Sequence, residues 1–198
     1  MKIIGITGGI GSGKTEVAKI FKKLGAKVIS ADQLGKEVVE KNPQVLKKLV
    51  KTFGREILTE DKKLKRKRLG ELAFSSVEKK DRLNKIVHPY LLSALRKKIR
   101  EFKKKTSGIL IVDAALIVEW GLQKELDYLI LVESTLKNRL KRLMEYQGYS
   151  RKEALKRVRL QLNDKTRRKY ANHIIRNNSD LKGLRRRVVL LWKKLIQK

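Results

Sequence analysis

The sequence predicts an α/β fold, a five-stranded parallel sheet flanked by helices, and three observations carry that prediction. The apolar run Ile3-Ile4-Gly5-Ile6 passes through a glycine-rich bend straight into a helical pattern. Short apolar runs then alternate with helical stretches, the order that places parallel strands side by side through right-handed crossovers. The segment Gly108-Ile109-Leu110-Ile111-Val112-Asp113 is apolar without alternation until a carboxylate closes it, as expected of a strand buried on both faces.

Taken in order, residues 2–7 read as a buried strand and Thr15 to Leu24 as a helix with Val17, Ala18, Ile20, Phe21 and Leu24 on its inner side; Gly25 ends it. Ala26-Lys27-Val28-Ile29-Ser30 is a short second strand, and Asp32, just past its carboxyl end, can cap a helix from Gln33 to Glu40. Ligands of such sheets bind at the carboxyl ends of the strands, so Asp32 is expected at the same rim as the glycine-rich bend. Asn42-Pro43 starts another helix through Val50, and Phe53-Gly54 with Thr59-Glu60-Asp61 reads as a loop. Arg66 to Phe74, a helix capped by Ser75-Ser76, and a long amphipathic helix headed by Pro89 and running to about Lys104 complete an all-helical stretch. It is too long for a simple crossover and reads as a lobe that holds a second substrate.

After the strand at 108–113, Tyr128 to Val132 and His173 to Arg176 give the fourth and fifth strands, with helices at 135–147, 150–161 and 180–197. Ser150 caps the second of these and Glu153 answers it. No linker rich in Gly, Pro or Ser and no internal repeat interrupts the chain. The 198 residues therefore read as a single domain: a core of about 1–35, 107–134 and 170–198, a helical lobe of about 36–106, and a lid of about 135–169.

Composition excludes several classes. At 41% hydrophobic the chain can bury a core. The absence of cysteine rules out disulfide staples, thiolate metal sites and a cysteine nucleophile, and points to the cytoplasm. Met1-Lys2-Ile3-Ile4-Gly5 enters the first strand at once, leaving no room for a cleavable signal, and no apolar run is long enough for membrane insertion. Fifty-one basic against twenty acidic residues leave a charge of +31, concentrated outside the centre: from Arg151 to Lys198 there are 17 Lys/Arg and 3 Asp/Glu. That excess fits either a polyanion partner or a solvated basic face, with incidental, salt-sensitive RNA binding in both cases. No obligatory protein partner is indicated.

The chemistry lies in Gly8-Gly9-Ile10-Gly11-Ser12-Gly13-Lys14-Thr15, which fits the phosphate-loop pattern G-x-x-x-x-G-K-[ST] in its strand-before, helix-after context. Four glycines let the backbone turn successive N–H groups inward, and the helix N-terminus adds its partial positive charge. Lys14 would reach the β- and γ-phosphates of ATP, and the Thr15 hydroxyl would ligate Mg²⁺. Asp113 has the form of a Walker B carboxylate holding the Mg²⁺ shell, or else of a helix cap or turn residue. Phosphoryl transfer further needs a carboxylate near the acceptor hydroxyl, a role open to Asp32, and cations over the γ-phosphate. Arg139 and Arg142 can supply those cations as a lid, or are ordinary surface arginines. His88 can bind substrate or satisfy a backbone group, while Trp120, Tyr146 and Tyr149 read as packing residues.

With these residues laid out, the chain resembles the dephospho-coenzyme A kinase family over nearly its whole length. Ile6-Thr7 through Thr15 is similar to that family's extended phosphate loop, Val28-Ile29-Ser30-Ala31-Asp32 to its second-strand motif, Leu83-Asn84 through His88-Pro89 to its substrate-lobe motif, and Ala115-Leu116-Ile117-Val118-Glu119 to its Pro-Leu-Leu-x-Glu segment. Arg142, Gln161 and Asn177 match its lid and adenine-side positions. The resemblance implies a P-loop kinase-like fold with a helical substrate lobe and a lid. It implies ATP- and Mg²⁺-dependent phosphorylation of the ribose 3′-hydroxyl of dephospho-coenzyme A, with Asp32 catalytic and Thr7, His88 and Leu116 among the substrate contacts. Three departures stand out: Ser30 for an Asp, Ala115 for a Pro, and Tyr146-Gln147-Gly148 for Arg-Asp-Gly. The last removes a lid arginine, whose share of charge stabilisation falls to Arg139 or Arg142. The same parts would also serve a nucleoside or nucleotide kinase, or a nucleic-acid-binding ATPase.

Overall fold

A computed structural model describes residues 1–104 and 107–197; the expected end of the helical lobe, at 105 and 106, and Lys198 lie outside the described residues. The chain forms two compact units, Met1–Ser30 with Lys105–Lys198, and Ala31–Lys104.

The first unit carries the sheet. Its strands are β1 (Lys2–Thr7), β2 (Lys27–Ser30), β3 (Ile109–Asp113), β4 (Tyr128–Glu133) and β5 (His173–Arg176), all parallel in the order β2-β3-β1-β4-β5. β1 is central, and Ile6 sits in register with Asp113 on one side and Ile130 on the other. Alternate residues Ile4 and Ile6 enter a core with Val17 and Phe21 of α1 (Lys14–Lys23) and Leu184 and Val188 of α9 (Leu181–Ile196). On the other face Gly5 lies against Leu126 and Ile117 so closely that a Cβ there would stand 2.5 Å and 2.9 Å from their methyl carbons. Between β4 and β5 come α6 (Leu136–Gln147), α7 (Arg151–Arg159) and α8 (Asp164–Arg168). Ser150 and Glu153 form the expected capping box. The five-residue α8 and a 3₁₀ turn at Leu122–Glu125 are too short to leave a periodic signal and were not expected.

The second unit is helical: α2 (Ala31–Lys41), α3 (Pro43–Phe53), α4 (Arg66–Ala73) and α5 (Val77–Lys103). Val39, Val45, Leu49, Phe53, Ile57, Leu69 and Ala73 make its core. Asn42 and Ser76 cap α3 and α5 through their side chains. Two expectations need correction here. Asp32 is not the cap of α2: the helix begins at Ala31, and Asp32 lies in its first turn, where the carboxylate faces the positive end of the helix dipole. Pro89 does not head a helix, and neither does His88: both lie inside the unbroken α5. The ring removes one N–H that would have bonded the Lys85 carbonyl, but Lys85 is exposed, so water can take that acceptor. Packing of Leu83, Ile86 and Val87 before the proline and burial of Leu91, Leu95 and Ile99 after it outweigh the local loss. No described helix is long and apolar enough to cross a membrane.

Candidate active site

The glycine-rich bend leaves β1 at Thr7 and feeds α1 at Lys14. Gly8, Gly11 and Gly13 have φ of 155°, 75° and 91°, and the last two lie well inside the left-handed region that side chains avoid. The spaces their side chains would fill are taken: a Cβ on Gly8 would sit 2.4 Å from the Val132 carbonyl oxygen, one on Gly11 2.8 Å from the Arg139 carbonyl, and one on Gly13 2.2 Å from Asn177 Nδ2. The loop is thus held between the ends of β4 and β5 and the backbone of α6.

Three successive carbonyls, those of Ile10, Gly11 and Ser12, each meet a side-chain donor. Arg139 Nε donates to Ile10 O at 2.8 Å; Arg142 Nη1 donates to Gly11 O and Ser12 O at 3.1 and 3.3 Å and its Nη2 to Asn177 O at 2.9 Å; Asn177 Nδ2 donates to Ser12 O at 2.8 Å. Gln161 Oε1 accepts from Ile10 N at 2.6 Å. Ser12 N donates within the bend to Gly9 O at 3.0 Å. Gly13 offers no side-chain cap, so the first-turn donors of that helix remain for an anion. Ser12 Oγ, fully buried, finds no hydrogen-bond partner among the described residues. An uncapped helix start, glycines at their steric limit and a spare buried hydroxyl fit a nucleotide's phosphate chain.

Lys14 is the first residue of α1 and half-buried, and Thr15 beside it is exposed. Asp113 ends β3 next to β1 and is buried; with Thr15 it offers the hard oxygens that Mg²⁺ prefers. The Thr7 hydroxyl donates to Ala115 O at 3.0 Å and so fixes the turn that carries the half-buried Leu116. Burial lowers the pKa of both Arg139 and Arg142 from the ordinary guanidinium value; Asp164 opposes this at Arg139 and Tyr146 at Arg142. Both remain cations at neutral pH. Arg139 lies on the inner face of α6 with Leu143, deeper than a surface or lid arginine would be. Tyr146, expected to pack, is 80% exposed at the end of α6, whereas Tyr149 carries Arg157 over its ring at 4.2 Å.

Asp32 and His88 meet in the second unit. A groove of about 360 Å³ runs between α2, α4 and α5, lined by Asp32, Gly35, Lys36, Arg66, Gly70, Asn84 and His88 over an apolar floor of Val39, Leu69, Val87 and Leu91. Asn84 and His88, four residues apart, share one face of α5. Burial lowers the His88 pKa from its ordinary value, and Lys80 adds to the effect. Arg66 Nε donates to Glu40 Oε1 at 3.1 Å and its Nη2 to Lys36 O at 3.3 Å, which holds it at the edge of the groove. Lys36 and Arg66 escaped the sequence reading because lysines and arginines crowd every polar face of this lobe.

The predicted residues thus fall in two units, Thr7, the loop, Asp113, Leu116, Arg139, Arg142 and Asn177 in the sheet unit, and Asp32 and His88 in the helical one. Comparison with known proteins decides what they have in common. Residues 2–183 match the family described as Dephospho-CoA kinase. The chain belongs to that family. It is 37% identical over 197 residues to the dephospho-CoA kinase of Dehalococcoides mccartyi, an alignment covering 100% of this chain and 99% of its relative. Among solved structures, TT1252 from Thermus thermophilus superposes with a TM-score of 0.78 at 31% identity, covering 98% of this chain and 97% of the other. The dephospho-CoA kinase from Campylobacter jejuni gives 0.69 at 26% identity, covering 98% and 96%. The fold is that of a P-loop kinase, and the chain is a phosphotransferase of the dephospho-CoA kinase family.

Proposed function

We propose that this protein, working in the cytoplasm, transfers the terminal phosphoryl group of ATP to the ribose 3′-hydroxyl of dephospho-coenzyme A, giving ADP and coenzyme A, the last step of coenzyme A biosynthesis. The observation that carries the reading is the union, in one chain, of the family match over residues 2–183 with a phosphate-loop bend whose glycines stand at their steric limit and whose helix start is uncapped. The sheet unit would bind the nucleotide, residues 135–169 would act as its lid, and the groove of the helical unit would take the acceptor.

In the reaction the acceptor oxygen bonds to the γ-phosphorus while the bond from that phosphorus to the β–γ bridging oxygen breaks, and ADP leaves. Asp32 accepts the hydroxyl proton or orients the hydroxyl as its oxygen attacks. Lys14 and the N–H groups of the loop and first turn of α1 that have no partner within the protein hold the phosphate oxygens through the transfer. Arg142, fixed on the loop's carbonyls, adds positive potential beside them, and Asn177 keeps it there. Thr15 and Asp113 would hold Mg²⁺, which when bound neutralises phosphate charge. His88, kept neutral by burial, and Leu116 contact the acceptor, and Thr7 sets the turn that carries Leu116.

A coupled ADP-release assay across a panel of hydroxyl acceptors tests this. Dephospho-coenzyme A should turn over with Mg-ATP and its product should carry the new phosphate at the 3′ position. Brisk turnover on a nucleoside with none on dephospho-coenzyme A would overturn the substrate assignment, and hydrolysis of ATP stimulated by RNA without any small acceptor would overturn the kinase assignment itself.

A further inference from the structure

Arg167 is the largest fully buried side chain among the described residues, and nothing in the reaction above uses it. It lies in α8, whose two adjacent arginines point apart. Arg168 reaches outward to the buried Glu133 at the end of β4, with Nη2 2.8 Å from Oε2. Arg167 turns inward: Nη2 donates to Glu119 Oε1 at 3.1 Å, and Nη1 donates to Asp164 Oδ1 at 3.3 Å and to the Leu162 carbonyl. A charge stripped of all its water is sustained only by such partners.

Asp164 has a second neighbour. Its Oδ2 stands 3.7 Å from Nη1 of Arg139, the residue whose Nε donates to Ile10 O in the phosphate loop. One carboxylate therefore serves two buried guanidinium groups, and the closer claim is Arg167's. If Arg167 were absent, Asp164 would be free to close on Arg139 as a bidentate pair, the geometry a carboxylate and a guanidinium prefer. Arg139 would then be drawn off Ile10. The guanidinium also fills the space beside Gly9, where a Cβ would lie 2.2 Å from Nη2, so a shift of Arg139 would loosen the loop on the Gly9–Ile10 side. Gln161, just before α8, grips the same residue by its N–H.

We propose that Arg167 is a positioning residue for nucleotide binding: by occupying Asp164 and Glu119 it keeps Arg139 on the Ile10 carbonyl and so sets the shape of the phosphate loop. The proposal rests on the assignment of that loop to ATP. Its test therefore begins with direct binding of a non-hydrolysable ATP analogue to the unaltered protein by calorimetry; absence of binding there sinks the functional assignment rather than this inference. With binding established, Arg167→Met should raise the dissociation constant of the analogue and the KM for ATP roughly five- to twentyfold while leaving the KM for the acceptor within about twofold. Arg167→Lys, which keeps the charge, should recover part of the loss. Combined with Asp164→Asn, at a partly exposed position and so tolerant of change, Arg167→Met should regain most of the lost ATP affinity, because the carboxylate that would draw Arg139 off Ile10 is gone; if Arg167→Met does not fold, Arg167→Lys with and without Asp164→Asn gives the same reading. In an Arg139→Lys background, Arg167→Met should add little further change in ATP affinity, because both act on the same contact. A fall in melting temperature with ATP affinity unchanged, or fully additive effects in the double variant, would reduce Arg167 to a structural ion pair.

Discussion

Glycines do opposite work in the two units. In the phosphate loop a Cβ at Gly8, Gly9 or Gly13 would come within 2.4 Å of a heavy atom, and Gly11 and Gly13 also hold left-handed backbone. In the helical groove, a Cβ on Gly35 would meet only Leu91 at an ordinary 3.7 Å and one on Gly70 would meet nothing within 4 Å. The loop is full, so that only its backbone is left to meet a ligand; the groove is open and has volume to spare. That contrast suits a triphosphate, the same in every turnover, on one side, and on the other a bulky acceptor recognised through apolar floor and a few polar groups.

The sharpest way to separate the units is to alter Asp32, which lines the groove and which we propose acts on the acceptor hydroxyl. Asp32→Asn should lower kcat by about two to four powers of ten while the KM for ATP and the melting temperature stay close to those of the parent. A change of ATP affinity instead would show that this carboxylate serves the nucleotide side, and unchanged turnover would leave it as a helix-dipole partner alone.

Next in size is the loop. Gly13→Ala adds strain of about 1–3 kcal/mol from its left-handed backbone and drives a methyl into Asn177, so ATP affinity should fall roughly ten- to a hundredfold with acceptor affinity unaltered. Isothermal titration with each substrate separately reads the two affinities. The reverse experiment is Gly70→Leu. The added side chain enters open groove on a helical position without unusual φ, so the acceptor KM should rise several-fold, to about tenfold at most, with the ATP KM unchanged, while the melting temperature rises because α4 exchanges a glycine for a good helix former worth about 0.5–1 kcal/mol. Loss of stability in that variant would mean the groove is closed in solution.

The loop could be read from the sequence because each of its residues answers a stereochemical need that almost nothing else satisfies. The five strands were legible for a similar reason: parallel strands buried on both faces leave unbroken apolar runs such as Ile109 to Val112. Of the support behind the loop, the residues Arg139, Arg142, Gln161 and Asn177 were legible, but not that they hold its backbone from a buried position. On α6 the apolar residues Leu136, Leu140 and Met144 mark one stripe, yet Leu136 and Met144 are exposed and the helix turns Arg139 and Leu143 inward. Periodicity follows hydrophobic area, whereas an arginine tied to a carbonyl at one end and a carboxylate at the other satisfies burial by another route. Its carboxylate partner Asp164, with Arg167 and Glu119 beyond it in the same network, lies in a set of residues 20 to 28 positions from Arg139 in sequence, with no spacing rule to link them. Pro89 misled for the opposite reason: a local rule about helix starts gave way to packing on both sides of the ring.

The smallest effect belongs to the groove's own titratable group. Burial, assisted by Lys80, holds the His88 pKa below its ordinary value, so in the folded protein the imidazole stays neutral at a pH where the unfolded chain would already protonate it. The unfolded state then binds more protons, and stability rises with pH across the window that ends near the ordinary histidine value of about 6.5. Read downward, stability conferred by the neutral ring is complete above that value and is lost as pH falls toward the folded pKa. Melting temperatures recorded between pH 5 and 8 should show this slope in the parent protein, and His88→Gln, which keeps a polar group at the groove wall but cannot titrate, should flatten it. Filling the groove with acceptor should steepen it by burying the ring further, while ATP alone should leave it as it was. An equal response to both ligands would mean that groove and loop are not the separate sites their glycines describe.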